Sequence, residues 1–228
     1  VEHLIHEAEA HVVLLFEGGG ERAQELGHDP HDLGVGGRVE FDVVEGEEIA
    51  WNELVHAALI FSANNAVKGL LRAQGLREDE MVEAMNQRAR DWGMQDTHFT
   101  DVTGIAPTNV ATASDIMILA QHAFATPGIV AAGAPATYQF NGVVKGTPRP
   151  HTLRHTDRSR TSFLNDVKQG FKIVASKTGY VKEGGYHLVS KVRKDGKEII
   201  LILLGSATSQ ARFQEAKGLI WWAFSRAF

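Results

Sequence analysis

The spacing of apolar residues near position 60 predicts two helices that meet at a polar bend. Apolar side chains in the segment 54–61 recur at intervals of three and four residues, the spacing of one helix face. The polar stretch SANN at 62–65 interrupts this pattern, and a second apolar set follows at 67–71. Because both flanks require burial, we expect Ser62 and Asn64 to lie at a helix–helix junction inside the protein.

Two further segments carry helix signals at both of their ends. The segment 78–94 has acidic residues in its first turn and arginines near its last, as the helix dipole favours, and Gly93 suits its C-terminal cap. Thr112 is placed to cap the next helix, with Asp115 three residues later at the spacing of a capping box. We expect that helix to end before Pro127.

The last third of the chain is β-prone and closes with a helix. Three β-prone runs cover about 171–178, 186–193 and 197–205, and the KDG sequence before the third predicts a hairpin. The final twenty residues predict an amphipathic helix. We expect its apolar side chains to cover a sheet face: Phe213, Leu219, Ile220, Trp222 and Phe224. Helices followed by an antiparallel sheet and a covering helix predict an α+β fold.

The remaining segments give weaker signals. Residues 127–170 contain Gly, Pro and basic residues and predict short strands and loops. Apolar and polar residues alternate on either side of Glu45-Gly46, which predicts a small β-hairpin or an extended excursion. The first sixteen residues fit a helix or a helix followed by a strand. The basic run 149–160 fits either the rim of an anionic cleft or a solvated loop.

Composition narrows the functional classes. The chain has 228 residues, 43% of them hydrophobic, and we expect one domain over 1–228. A net charge of -5 without a clustered basic face gives no reason to expect nucleic acid or an anionic membrane as a partner. The absence of cysteine excludes disulfides and thiolate chemistry. The longest apolar run, seven residues from Ile199, has the length of a strand, and no secretory signal is visible at Val1.

Histidines are concentrated near the start of the chain, where they raise the question of a metal site. Five of the eleven lie before residue 32: His3, His6, His11, His28 and His31. The run HEAEAH lacks the His-Glu-x-x-His spacing of a zinc-binding helix. We therefore expect a solvated His-rich segment, with no metal and no cofactor.

Two polar triplets are candidates for chemistry: Ser62-Ala63-Asn64 at the predicted bend and Lys177-Thr178-Gly179 at the end of a predicted strand. A lysine ammonium and a threonine hydroxyl on one strand can hold a carboxylate by charge and hydrogen bonding. A glycine lets a ligand approach the strand backbone, along which a peptide can pair. Ser62 can carry a proton on the opposite side, and Asn64 can clamp an amide.

The order of these triplets resembles that of the penicillin-recognising serine D,D-peptidases. Within that group, the chain more closely resembles the low-molecular-mass D-alanyl-D-alanine carboxypeptidases of the S11 family. It runs from about Gly34 to the C-terminus and is carried by several segments in order: ELVHAALIFSANNAV, MNQRARDWGMQDTHFTDVTGI, ATASDIMILAQHAF and SKTGYVKEGGYHLVSKVRKDGKEIILILLGS. The fold that this resemblance implies is that of the serine β-lactamases and penicillin-binding transpeptidases.

The resemblance also implies a substrate and a location. The substrate is a peptidoglycan stem peptide ending in D-Ala-D-Ala, processed by serine acyl transfer, and β-lactams are trapping analogues. Lys177 and Thr178 would bind the terminal carboxylate beside Gly179, Ser62 would relay a proton, and Asn64 would hold an amide of the substrate. The family works outside the cytoplasm, in the periplasm or cell wall, and membrane association would come only through parts outside this chain.

One element of the family pattern is missing. The family acylates the serine of a Ser-x-x-Lys motif, and none of the serines here has lysine three residues later. Aligning AHVVLL with the apolar helix after that lysine would place His3 and His6 at the two catalytic positions, where they could not perform the same chemistry.

Three explanations stay open. The chain lacks its N-terminal strands and nucleophile helix, or it is a non-catalytic protein that binds muropeptides or a partner, or Ser62 is the nucleophile with Lys177 as base. A class A β-lactamase fits less well, because the Glu motif that activates its hydrolytic water is not apparent.

Overall fold

Most of the described helices come before residue 134, the longer antiparallel strands follow between 137 and 206, and a final helix closes the described chain. The computed structural model describes residues 3–4, 23–26, 40–161 and 170–226. The helices are α1 Trp51–His56, a π-helical segment Ala57–Phe61, α2 Asn64–Gln74, α3 Glu78–Asp91, α4 Ala113–Ala125, α5 Pro127–Gly133 and α6 Ser209–Arg226. The strands are β1 His3–Leu4, β2 Ala23–Leu26, β3 Glu47–Ala50, β4 Val110–Ala111, β5 Thr137–Val144, β6 Thr147–Arg154, β7 Lys172–Val181, β8 Gly185–Lys194 and β9 Lys197–Ser206.

The ends of the predicted helices are confirmed by their caps. α3 closes with Gly93 at a φ of +80°, which a residue without a side chain adopts at little cost. At the start of α4 the Thr112 hydroxyl accepts a hydrogen bond from the Asp115 amide at 3.2 Å. The Asp115 carboxylate accepts from the Asp96 amide and the Thr97 hydroxyl, so it fastens the preceding loop to α4.

The three-stranded sheet β7–β8–β9 is the structural centre of the molecule, and it is buried on both faces. In β9, Ile200, Ile202 and Leu204 pack on the main core with the helices α1 to α5, while Ile199, Leu201 and Leu203 face a second core. That second core is closed by α6 through Ala216 and Ile220. The alternation follows from the period of two in a strand, and it confirms the predicted helix-covered sheet.

A second sheet runs in the order β2–β3–β5–β6, and its β5–β6 pair is a hairpin. The Glu47 carboxylate is fully buried there and is hydrogen-bonded to His151 Nε2 at 2.6 Å and to the Arg149 guanidinium at 3.0 Å. A buried carboxylate requires such partners, because an unpaired charge in the core is costly. Arg149, from the basic run, therefore serves this network.

Three features differ from the sequence-based expectations. Within 127–161 the two expected strands are longer than predicted, at eight residues each, and the helix α5 was not expected. Pro127 opens that helix at a position where proline is favourable. The hairpin alternative at Glu45-Gly46 is wrong, since the strand after it pairs with β2 and β5. Leu219 and Trp222 are 41% and 63% exposed and do not cover the sheet.

The described helices are short compared with a membrane span. No single one of them is long and apolar enough to cross a bilayer. α4 and α5 together would satisfy length and composition, but they are bent by 93° against each other and contribute Ile116, Leu119 and Ile129 to the buried core.

Candidate active site

The predicted polar bend lies inside the protein and has an unusual backbone. The apolar π-helical segment Ala57–Phe61 ends at Ser62, which has φ +61° and ψ +36° in the left-handed region. Ala63 is extended and begins α2 without a side-chain cap, and Asn64 is buried at 6% exposure. A left-handed serine is strained, and π-helical turns occur frequently at functional sites. The expectation of an interior helix junction is confirmed.

The second triplet reaches this bend from across the fold. Lys177 Nζ lies 2.6 Å from Ser62 Oγ, although the two residues are 115 positions apart in the sequence. The same ammonium donates to the Thr178 carbonyl at 2.8 Å. Lys177 is only 4% exposed and does not itself line the neighbouring cavity. The Ser62 hydroxyl, which its ammonium contacts, does line it.

A cavity of about 680 Å³ opens between the two triplets. Ser62 and Asn64 line its helical side, and Thr178 and Gly179 line its sheet side. The Thr178 hydroxyl donates to the Thr156 hydroxyl at 2.6 Å, which fixes the hydroxyl at the wall. Such a volume accommodates a short peptide or a small drug-like molecule. The structure therefore brings Ser62, Asn64, Thr178 and Gly179 around one cavity, with Lys177 adjoining it.

Arg212 also lines this cavity, and the sequence reasoning did not identify it. Its guanidinium donates to the carbonyls of Gly179 and His187, each at 3.0 Å, and it is 5% exposed. Its Nε is buried with no hydrogen-bond partner in the described part of the chain. Burial lowers the pKa of the Arg212 guanidinium below its usual value. The signal in the sequence is an arginine at the i, i+4, i+8 spacing that places Ala216 and Ile220 in the core.

The floor of the cavity is braced by a buried polar network around Asp157. The carboxylate accepts hydrogen bonds from Ser159 Oγ and Ser176 Oγ at 2.5 and 2.6 Å. Arg160 Nε donates to Ser176 Oγ at 3.0 Å. This network ties the segment after β6 to β7 at the residue before Lys177. Burial, followed by the positive charge of Arg160, lowers the pKa of His155 from 6.5 to about 3.

The charge of the cavity wall favours anions. Arg154, Arg158 and Arg212 line the cavity, and Asp157 is the one acidic residue among the described residues that do so. The arginines of the basic run 149–160 therefore lie in three different settings. Arg154 and Arg158 line the cavity, whereas Arg149 pairs with Glu47 and Arg160 is buried. Both open interpretations of the run apply only in part.

A metal centre finds no support among the described residues. No group of three or more His, Asp or Glu side chains there could hold a metal ion. The N-terminal histidines fall elsewhere: His6, His11, His28 and His31 lie outside the described residues, and His3 is described only as part of strand β1. The expectation for that segment stays a prediction.

The chain is similar to known proteins in sequence and in fold. Residues 25–208 match the model of the D-alanyl-D-alanine carboxypeptidase family, S11. A D-alanyl-D-alanine endopeptidase of Haemophilus influenzae is 29% identical over 167 residues, covering 72% of this chain and 53% of the relative. A D-alanyl-D-alanine carboxypeptidase of Bacillus subtilis is 26% identical over 197 residues, covering 86% of this chain and 48% of the relative. The chain thus spans about half the length of these relatives.

Solved structures show the same fold. A mutant of a Streptomyces DD-transpeptidase superposes with a TM-score of 0.84 at 18% identity, covering 99% of this chain and 90% of that one. A D-alanyl-D-alanine carboxypeptidase from Mycobacterium tuberculosis superposes with a TM-score of 0.79 at 19% identity, covering 99% and 83%. The predicted α+β fold of the penicillin-binding enzymes is confirmed. The chain belongs to the D-alanyl-D-alanine carboxypeptidase family of serine peptidases.

Proposed function

We propose that this chain binds peptidoglycan stem peptides ending in D-Ala-D-Ala in the cavity between Ser62 and Thr178, and that it acts on them by serine acyl transfer. The observation that carries the proposal is the 2.6 Å contact between Ser62 Oγ and Lys177 Nζ at the wall of a cationic cavity. It couples a hydroxyl that substrate can reach to a buried amine. This is the pairing that proton transfer to and from a reacting group requires.

The peptide carboxylate would be held on the sheet side of the cavity. The Arg212 guanidinium supplies a charged donor there, and charge-assisted hydrogen bonds are the stronger kind. The Thr178 hydroxyl, which donates to Thr156 in the free chain, would turn toward the carboxylate on binding. In this scheme Lys177 supports the carboxylate indirectly, because its ammonium contacts Ser62 and the Thr178 carbonyl.

The rest of the peptide would lie along β7. This strand forms one edge of the three-stranded sheet in the part of the chain that the structure describes, so an extended peptide can add to it. Gly179 leaves room for the peptide backbone at the cavity wall, and the Asn64 side chain offers an amide for a peptide group on the opposite side. Tyr180 and Tyr186, with ring centroids 4.3 Å apart, provide an apolar wall.

The site of action follows from the substrate. Peptidoglycan lies outside the cytoplasm, so we place the activity in the periplasm or cell wall. β-lactams resemble the D-Ala-D-Ala end and would occupy the same cavity.

A non-catalytic role is the second candidate. The observation that favours it is the lack of a Ser-x-x-Lys motif within the 228 residues. Such a protein would bind muropeptides with the same residues and release no D-alanine. Binding is common to both candidates, and turnover separates them.

Binding and turnover can be measured with one ligand. We expect diacetyl-L-Lys-D-Ala-D-Ala to bind the full chain in isothermal titration, and its C-terminal amide to bind at least about tenfold more weakly. Equal affinities for the acid and the amide, or no binding to the folded chain, would contradict the proposal. Released D-alanine would identify an enzyme, and binding without release would identify the non-catalytic alternative.

An Arg212→Lys variant tests the assignment of the carboxylate site. Lysine keeps the charge but lacks the forked donors, so we expect affinity for the acid to fall by about tenfold. Arg193→Met is the matched control, because Arg193 pairs with Glu198 on the sheet surface and does not line the cavity. Unchanged affinity in Arg212→Lys, with the fold confirmed by circular dichroism, would remove Arg212 from the carboxylate site.

A further inference from the structure

We propose that Arg154 and Arg158 form a second anion subsite at the rim of the cavity, and that this subsite selects stem peptides with a further carboxylate on the N-terminal side of D-Ala-D-Ala. The inference rests on the proposed function, because it needs the terminal carboxylate of the peptide to lie in the same cavity. It goes further by assigning the negative charge of the ligand to two positions and by naming the class of stem peptide that this chain prefers.

The cavity wall carries more positive charge than one carboxylate offsets. Arg154, Arg158 and Arg212 line the cavity. Asp157 is the one acidic residue among the described residues that do so. His155 also lines it, and burial is the main cause that lowers its pKa to about 3, so its ring is neutral in neutral solution. Three cations and one carboxylate leave two positive charges, of which the peptide terminus offsets one. A second carboxylate on the same ligand would complete the charge complementarity.

The two rim arginines lie in a different setting from the arginine of the terminal carboxylate site. Arg154 and Arg158 are exposed at the cavity. Arg212 is 5% exposed, and its guanidinium is held by the carbonyls of Gly179 and His187. A carboxylate that reaches the rim therefore meets a different pair of cations from the one that binds on the sheet side.

The backbone that carries the rim arginines is fixed by the residues between them. The Thr156 amide donates to the Ile60 carbonyl at 3.0 Å, and the His155 amide donates to the Ala136 carbonyl at 2.9 Å. The Asp157 amide donates to His155 Nδ1 at 2.9 Å. Because this backbone is already ordered, only the two arginine side chains lose freedom when an anion binds, which lowers the entropic cost of binding.

The two anion positions are near enough for one ligand to occupy both. Burial is the main cause of the lowered pKa of Arg212, and the positive charge of Arg158 also lowers it. The two guanidinium groups therefore lie within range of each other's charge. A ligand with two carboxylates would relieve more of this repulsion than a ligand with one.

A stem peptide offers two sources of the second carboxylate. Where its third residue is a diamino dicarboxylic acid, the end of that side chain carries a carboxylate that lysine lacks. Where its second residue is D-glutamate joined through the γ-carboxyl group, the α-carboxylate is free unless it is amidated. Both groups lie on the N-terminal side of D-Ala-D-Ala, so the chemistry of the subsite is the same for each.

Isothermal titration of the full chain with matched peptides tests the subsite. Diacetyl-L-Lys-D-Ala-D-Ala supplies the terminal carboxylate alone. Diacetyl-meso-diaminopimelyl-D-Ala-D-Ala adds a carboxylate on the third residue, and an acetylated γ-D-Glu-L-Lys-D-Ala-D-Ala adds one on the second. Each diacid is compared with the carboxamide that lacks only the added charge. We expect at least one diacid to bind about tenfold more tightly than its carboxamide, and the diacid that does so identifies the source.

The double variant Arg154→Gln/Arg158→Gln tests whether the rim arginines cause this preference. Both side chains are exposed, so we expect the fold to be retained, which circular dichroism checks. The preference for the diacid over its carboxamide should fall below about twofold. Arg193→Gln is the matched control, because it removes an exposed cation that pairs with Glu198 and does not line the cavity, and it should keep the full preference.

The outcomes separate this inference from the proposed function. Equal affinities of both diacids and their carboxamides would overturn the inference, and so would a preference that persists in the double variant. If diacetyl-L-Lys-D-Ala-D-Ala still binds more tightly than its C-terminal amide in that case, the proposed binding function stands. If none of the peptides binds the folded chain, both fail.

Discussion

At the scale of single residues, the site depends on side chains held in costly positions. Ser62 has a left-handed backbone, and Lys177 and Arg212 are cations at 4% and 5% exposure. The sequence indicated Ser62 and Lys177 because each belongs to a short motif. It could not indicate the left-handed φ, which is set by how the π-helical segment packs against α2. Arg212 was missed because it lies in no motif and reaches Gly179 from 33 residues away.

The strain at Ser62 can be isolated with two variants. Ser62→Ala and Ser62→Gly both lose the hydroxyl bond to Lys177, but only glycine adopts φ +61° without steric cost. We expect the glycine variant to be more stable than the alanine variant by about 1 kcal/mol, as measured by urea unfolding. If alanine is equal or more stable, the turn at Ser62 is not strained.

His155 predicts a pH dependence of stability. Its pKa is about 3 in the folded protein and about 6.5 when unfolded, so the unfolded state binds the extra proton first. The stabilisation from neutral His155 is complete above pH 6.5 and is lost as the pH falls toward 3. Relative to His155→Asn, we expect the unmodified chain to lose about 2 kcal/mol more between pH 7 and pH 5. Stability is measured as the midpoint of urea unfolding at each pH. Equal losses of stability in the two proteins would show that His155 does not titrate in this way.

At the scale of elements, a bulge in β7 decides which face of the sheet carries Lys177. Ile173 faces the α6 side, and the pairing skips from Ile173 to Ala175, which packs in the main core. The extra residue reverses the alternation, so that Lys177 points toward Ser62 and not toward α6. The sequence predicted the three strands and the KDG hairpin correctly. It could not predict the bulge, because apolar residues occupy both faces of this sheet and leave the register unmarked.

The β5–β6 hairpin contains a glycine that the Glu47 network requires. A Cβ at Gly142 would lie 2.9 Å from Glu47 Cδ, and Glu47 cannot move without losing its bonds to His151 and Arg149. We expect Gly142→Ala to destabilise the protein by about 2 to 3 kcal/mol in urea unfolding. A change below about 0.5 kcal/mol would mean that the network adjusts.

Gly218 in α6 provides the opposite case. It is exposed in the helix interior, and a Cβ there would meet no atom within 4 Å. Alanine is the better helix former, so we expect Gly218→Ala to raise the free energy of unfolding by about 0.5 to 1 kcal/mol. A loss of stability in this variant would indicate that α6 packs differently from the arrangement described.

At the scale of the whole molecule, the helical layer and the three-stranded sheet meet at one cavity, and each contributes one of the two polar triplets. The apolar pattern was sufficient for the α+β class, since helix and strand periods are local. The resemblance supplied the family, which the match over 25–208 confirms. The Glu47–His151 contact joins residues 104 positions apart and has no local signature, so only the structure reveals it.

The charge of the cavity predicts a salt dependence of binding. Three arginines line it against one described acid, and part of the wall is open to solvent, where ions screen charge. We expect the dissociation constant of diacetyl-L-Lys-D-Ala-D-Ala to rise by about threefold to tenfold between roughly 50 mM and 500 mM salt. The C-terminal amide should show a much smaller change. Equal salt dependence for both ligands would argue against a carboxylate held by these cations.

The central claim is that the bend at Ser62 and the strand end at Lys177 form one binding site for the D-Ala-D-Ala terminus. Backbone amide shifts of the isotopically labelled full chain, recorded by NMR during titration with diacetyl-L-Lys-D-Ala-D-Ala, test it most directly. The account predicts that the largest shifts occur together at Ser62, Asn64, Thr178 and Gly179, with saturation at a single dissociation constant. Shifts confined to only one of these two segments, or centred elsewhere on the protein, would contradict it.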